Sequence, residues 1–215
     1  MSFAPVSPAE DDPRDAAPHL VRWHHWMRAK RGGAEMSDDS RTFSELLALA
    51  AERDGYKVEW YAGKIVMQAS ASAFHNLIVS ETIRQIPSDA WWALPDMGVG
   101  TPGDHRGPQP DIVIIPAGSL SDDENPVRKE IVAAVIEVVS KNTRSEDYGD
   151  KPEAYASMGI PVYVIIDRKC ETIRVFSEPD VNRYTRENVS SFGKPFTLPE
   201  PVLLTIGTEG YPAAL

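Results

Sequence analysis

A chain of 215 residues and 23.7 kDa has room for one domain with a tail, or for two very small domains. Its formal net charge of −10 argues against a broad phosphate-binding surface. Its single cysteine, Cys170, excludes an internal disulfide and a Cys-rich metal cluster. A reducing, cytoplasmic setting is expected, because the sequence shows no secretory apolar segment of roughly 7–15 residues and no apolar run of roughly 18.

Residues 1–18 combine Pro5, Pro8, Pro13 and Pro18 with Glu10, Asp11, Asp12 and Asp15 and show no apolar period, which predicts a flexible tail. A short helix is expected around 19–31, with Leu20, Trp23, Met27 and Lys30 on one face and Gly32-Gly33 at its end. His24 and His25 inside it point in different directions, so they read as surface residues rather than metal ligands. Residues 1–41 hold seven acids and six bases, leaving 25 acids against 16 bases in the remainder, a balance of −9. An acidic body of this kind still admits a site that meets a polyanion through a divalent cation.

The globular domain is expected to span 42–215, opening with a helix in which Thr42 and Glu45 have capping-box spacing and Gly55 lies beyond the end. "KVEWYAGKIVMQ" predicts a β-hairpin turning at Ala62-Gly63, with Glu59 on its first strand. Phe74, Leu77, Ile78, Ile83 and Ile86 recur at helical spacing up to Pro87, with His75 in the first turn. Next come a strand in "AWWALPDMGVG" bent at Pro95, the strand "DIVIIP", and an exposed acidic loop in "SLSDDENPVRK". "EIVAAVIEVVS" lacks polar alternation and predicts a central strand buried on both faces. A helix in "NTRSEDYGDKPEAYASMG", the strand "PVYVIID", a turn at "RKCE" and the strand "TIRVFS" follow; beyond residue 179 one or two short strands are expected. This order predicts an α/β fold, a mixed sheet with a helix on each face.

Two acids stand where strands should be driest. Asp111 opens an apolar strand directly after a proline, and Glu137 lies near the end of another. A buried carboxylate loses solvation unless it is paired or binds a cation. Two of them on adjacent strands repel, and a hard divalent ion such as Mg²⁺ is the usual remedy. The plain alternative is that each acid caps a strand end and pairs with a local Arg or Lys.

"PDIVII", "IEVVSKNTRSEDYGDKPEAYASMGIPVYVIID" and "EWYAGKIVMQASASAFHNLIV" together resemble, in order and spacing, the Uma-type restriction endonuclease family. That family is a branch of the PD-(D/E)xK nuclease superfamily, long catalogued as a domain of unknown function. The resemblance runs from Thr42 to Ser177. It implies a restriction-endonuclease-like mixed β-sheet flanked by helices, and Mg²⁺- or Mn²⁺-dependent hydrolysis of phosphodiester bonds. DNA is the nucleic acid it implies as partner. Asp111 and Glu137 would hold the metal, Glu59 would be a third carboxylate, His75 matches a helix histidine and Asp147 a loop acid. The superfamily's usual lysine position, two residues after the glutamate, is Val139 here; the resemblance assigns the role to Lys151 instead, with Lys141 as a rival.

Pro152 directly after Lys151 is poorly tolerated inside a helix, at about 3 kcal/mol. The helix is therefore expected to start there, with Asp150 as N-cap and Glu153 closing a D-x-x-E box. The sequence supports a metal-dependent endonuclease first. A catalytically inactive nucleic-acid or protein binding module on the same fold comes second, and a plain scaffold with its acids in ion pairs third. Residues 168–194, with six bases against four acids, are a candidate for phosphate contact or a charge-protected strand edge. A homodimer is compatible with cutting two strands, and no membrane partner is expected.

Overall fold

The computed structural model describes residues 56–61, 64–69, 71–101, 107–121, 124–139 and 144–213; for 56–61, 64–69 and Glu146 it describes the backbone alone. The expected tail, the helix at 19–31 with His24 and His25, the helix after Thr42, the Ala62-Gly63 turn and Lys141 lie outside these residues.

Strands β1 (Tyr56–Tyr61) and β2 (Lys64–Ala69) form the expected hairpin, with Tyr61 paired to Lys64 across a two-residue connection. Helix α1 (Ala73–Ile83) starts at Ser72, whose side chain accepts from the His75 N–H at 3.2 Å. This cap fixes His75 in the first turn. The helix ends at Ile83 rather than running to Ile86. Gln85 and Ile86 donate to Thr82 and Ile83, so the last turn tightens before Pro87.

Six strands make the main sheet in the order β10-β9-β8-β7-β5-β3: β3 (Trp91–Pro95), β5 (Ile112–Pro116), β7 (Ala134–Val138), β8 (Val162–Asp167), β9 (Thr172–Asp180) and β10 (Arg183–Ser191). Only β7 and β8 run parallel within it. After Pro95, Asp96 adopts a left-handed φ of 56°, which turns the chain into the short β4 (Val99–Gly100). That strand pairs in parallel with β6 (Val127–Arg128). Within the expected acidic loop, Val127 is fully buried and Glu124 is closed off from solvent against Arg128.

Every residue of β7 is buried, as the unbroken apolar run predicts. Alternation along the strands divides the core into two layers. Ile112, Ile114, Ile136, Val138 and Ile166 face Ile78 of α1, whereas Val113, Val135, Tyr163 and Ile165 face Tyr155 on the opposite side. The C-terminal part is more extensive than "one or two short strands". β9 and β10 are nine-residue arms of a hairpin, and β11 (Phe196–Leu198) pairs with β12 (Leu204–Ile206). β10 is polar on both faces apart from Tyr184 and Val189, so hydrophobic alternation could not reveal its length.

The expected helix between β7 and β8 is two helices, α2 (Arg144–Tyr148) and α3 (Asp150–Ser157). Gly149 separates them, and a Cβ there would sit 2.6 Å from the Ser145 carbonyl oxygen. Gly149, not Asp150, is the N-cap of α3, and no side-chain cap bond forms. Glu153 accepts from Asn182 instead of closing a box. Pro152 is the third residue of α3, where its missing N–H removes a donor that has no partner in the helix anyway.

Candidate active site

Ile112 of β5 pairs with Ile136 of β7, and the same register carried one step further sets Asp111 opposite Glu137. Directly opposed residues share a face, with Cβ atoms about 4.5–5.5 Å apart, and like charges there are unfavourable. The ladder opens at this step because the Asp111 side chain takes over as acceptor: its Oδ2 receives the Val138 N–H at 2.7 Å. Its Oδ1 lies 3.1 Å from His75 Nε2. His75 thus donates to Asp111 from the first turn of α1, while its Nδ1 is buried without a hydrogen-bond partner.

Glu137 has a different environment. Its Oε1 accepts from Lys151 Nζ at 2.8 Å and from the Tyr155 hydroxyl at 2.9 Å. The same ammonium reaches Asp147 Oδ1 at 2.9 Å, one turn earlier on the chain. Lys151 and Asp147 side chains are each 1% exposed and Glu137 4%, against 15% for Asp111 and 14% for His75. Solvent therefore reaches the set from the Asp111 side, and Lys151 forms its closed floor.

Two carboxylates, Glu137 and Asp147, share the Lys151 ammonium, and a third, Asp111, lies opposite Glu137. The excess of negative charge registers on a neighbour: burial first, then the charges of Asp147 and Glu137, push the Tyr163 hydroxyl well above its ordinary range. Tyr163 donates to the Asp147 carbonyl at 2.9 Å and so ties α2 to β8. A second anchor lies at the end of β8, where Asp167 receives Arg144, the Tyr148 hydroxyl at 2.7 Å, and the N–H groups of Lys169 and Cys170. Burial raises the Asp167 carboxyl, but the Tyr148 hydroxyl, the Cys170 N–H and Arg144 together outweigh it and hold it below the usual range. Burial, then Asp167, raises Tyr148 to about 12.

Of the residues singled out in the sequence, the structure brings Asp111, His75, Glu137, Lys151 and Asp147 into one connected network. Glu59 lies on β1 opposite Val66, and its side chain is outside the described part, as is Lys141. Tyr155 was missed. Its spacing of four from Lys151 puts both on one helix face, which is the signal that could have found it. Asp111 meets a histidine and a backbone N–H, while Glu137 is ion-paired with Lys151, as the plain alternative expects of it.

Among the described residues no group of three or more His, Cys, Asp or Glu side chains is placed to hold a metal ion. Two opposed carboxylates at a strand end fit a small hard cation, which takes one or two carboxylates and completes its shell with carbonyls and waters. They do not fit an ion that demands thiolates or several imidazoles.

The profile of a protein family, Uma2, described as "Putative restriction endonuclease", matches residues 43–208. The chain belongs to the Uma2 family. The matched stretch passes Ser177 and takes in β10, β11 and β12. A solved structure of a nuclease-like protein from Anabaena variabilis ATCC 29413, described as a "putative nuclease belonging to DUF820", is similar at a TM-score of 0.51 and 21% identity. The similarity covers 67% of this chain and 82% of that one. That likeness establishes the restriction-endonuclease-like fold for this Uma2 member. No curated protein matches the chain. Among the described residues no helix is long and apolar enough to cross a membrane.

Proposed function

We propose that this Uma2 protein is a divalent-metal-dependent endonuclease that hydrolyses phosphodiester bonds in DNA. The observation that carries the reading is the opposition of Asp111 and Glu137 at the ends of β5 and β7, with Lys151 bonded to Glu137. Asp111 and Glu137 would hold Mg²⁺ or Mn²⁺, with Glu59 as a further carboxylate. The ion, when bound, supplies Lewis-acid stabilisation of charge on the phosphate and lowers the pKa of water. Lys151 holds Glu137 in place and supplies positive charge at the floor of the site, where developing negative charge is stabilised. His75 orients the Asp111 carboxylate through its Nε2–H.

A catalytically silent binding module is the second reading. On its side stands the closure of Lys151 between two carboxylates, at 1% exposure. The deciding experiment incubates purified protein with supercoiled plasmid DNA and Mg²⁺ or Mn²⁺. Nicking that disappears in Asp111→Ala supports the enzyme. Equal activity in both proteins exposes a contaminant and rejects it, and a flat calorimetric titration with millimolar Mg²⁺ and Mn²⁺ favours the binding module.

A further inference from the structure

The six bases of residues 168–194 separate into two groups. Arg174 pairs with Glu187, Arg186 with Glu178 at 3.2 Å, and Arg183 with Asp180 at 3.9 Å, all within the β9–β10 hairpin. Among the described residues Arg168, Lys169 and Lys194 have no carboxylate partner, and Arg168 donates to the Ala213 carbonyl at 3.4 Å. Arg168 and Lys169 sit in the turn that follows β8, and Lys194 lies in the turn after β10, at the same end of the sheet. That is the end at which β7 carries Glu137 and Val138, which pair with Ile165 and Ile166 of β8. Arg168 and Lys169 thus bring positive charge with no carboxylate partner among the described residues to the end of the sheet that carries the candidate site, whereas the arginines of the hairpin are paired.

An aromatic ring stands among these charges. The Arg168 guanidinium lies over Phe74 at 4.5 Å from the ring centroid, and Phe74 is still 41% exposed. Leu77, one turn along α1, is 42% exposed. Helical spacing predicts that both belong to the buried stripe, but the first turn of α1 overhangs the strand ends and leaves Ile78 as the first buried residue. Phe74 is adjacent in the chain to His75, which touches Asp111. The overhanging turn therefore spans the mouth, with one contact to the site and one to the cationic turn.

We infer that Phe74 and Arg168 form a stacking platform for an unpaired nucleotide, so that the substrate is nucleic acid with a single-stranded segment at the scissile position. This rests on the nuclease reading above. A base inside a duplex has both faces covered by its neighbours, and only an unstacked base can lie on a protein ring. Guanidinium on an aromatic ring extends the flat surface and adds charge for the phosphate on either side, which Lys169 shares. Stacking on an exposed ring is tolerant of sequence, so the platform selects strand state and not base identity.

The test is fluorescence anisotropy in EDTA with a labelled 12-nucleotide DNA single strand and its duplex, using the full chain. The wild type should bind the single strand more tightly. Phe74→Ala, a change at a half-open position, should weaken single-strand binding by about 5- to 100-fold and duplex binding little. Arg168→Gln should lower the slope of log affinity against log salt by about 0.7. Equal single-strand affinity in wild type and Phe74→Ala overturns the platform, as does tighter binding of the duplex by wild type. With Mg²⁺, a wild type that cleaves while Phe74→Ala cleaves the single strand with unchanged KM also overturns it and leaves the nuclease reading intact. A wild type that neither binds nor cleaves any nucleic acid overturns both.

Discussion

Lys151 on α3 and Glu137 on β7 meet at 2.8 Å with their side chains 1% and 4% exposed, and Asp147 holds the same ammonium from the other side. A cation enclosed by two acids from separate segments joins the helical connection to the sheet. Removing one member of a buried ion pair leaves an uncompensated charge and is destabilising by about 3–5 kcal/mol. Lys151→Met should therefore lower stability in urea denaturation by about that amount. The double variant Lys151→Met/Asp147→Asn should recover part of the loss, because one of the stranded carboxylates is gone. Additive losses would show that the two side chains are not coupled.

Asp111→Asn tests the opposed acids in the reverse sense. The amide oxygen can still accept the Val138 N–H, the amide NH2 can donate to His75 Nε2 once the imidazole proton sits on Nδ1, and the repulsion with Glu137 disappears. Without metal the variant should melt at or above the wild-type temperature. With Mg²⁺ the wild type should gain stability, about 2.7 kcal/mol at a hundredfold excess over Kd, and the variant should gain none. Differential scanning fluorimetry across a metal titration reads both arms, and a metal-dependent gain retained by Asp111→Asn would remove Asp111 from the ion's ligands.

Tyr155→Phe deletes one hydroxyl that donates to Glu137. A hydrogen bond to a charged acceptor contributes about 1.5–3 kcal/mol, and the Glu137 Oε1 would lose that donor while keeping Lys151. Stability should fall within that range, read by chemical denaturation. The Mg²⁺ concentration giving half-maximal cleavage should shift, because one restraint on the Glu137 carboxylate is lost. An unchanged metal dependence would assign Tyr155 to stability alone.

Asp167→Asn addresses the anchor of α2. The native carboxyl is held below its ordinary value of 3.8, so the ionised form is preferentially stabilised by folding. Its contribution is fully present above that ordinary value and is lost as pH falls through the lower folded value. Thermal melts at pH 7 should show wild type the more stable by about 1.5–3 kcal/mol. The gap should narrow as pH drops below 3.8. A gap that stays constant into acid would mean that the charge of Asp167 is not what holds Arg144 and Tyr148.

Much of this arrangement was legible in the sequence where burial is one-dimensional. β7 announces itself because a strand covered on both faces has no polar alternation, and the acids at strand ends stand out against apolar runs. The lysine was legible only through the family resemblance, since a position on a helix says nothing about which strand it faces. Tyr155 and Tyr163 look like ordinary core aromatics in a sequence, and only packing shows which of their neighbours is a carboxylate or a carbonyl. Phe74 misled in the opposite sense: periodicity reports the face of a helix but not where the sheet beneath it stops. In β10 the arms are held by cross-strand hydrogen bonds and charge pairs such as Arg174 with Glu187, which leave no hydrophobic trace.

The parallel pairing of β7 with β8 has a consequence for how the chain can be cut and rejoined. Parallel neighbours need a crossover, and this crossover supplies Asp147, Lys151 and Tyr155 to a glutamate at its own starting point. New termini opened between Glu137 and Lys151 would convert a local closure into a meeting of distant ends, whereas termini at Val181, 83% exposed in the turn at the opposite end of the sheet, leave that closure untouched. A circular permutant opened at Val181 keeps the network, and one opened inside the crossover must assemble it from two halves.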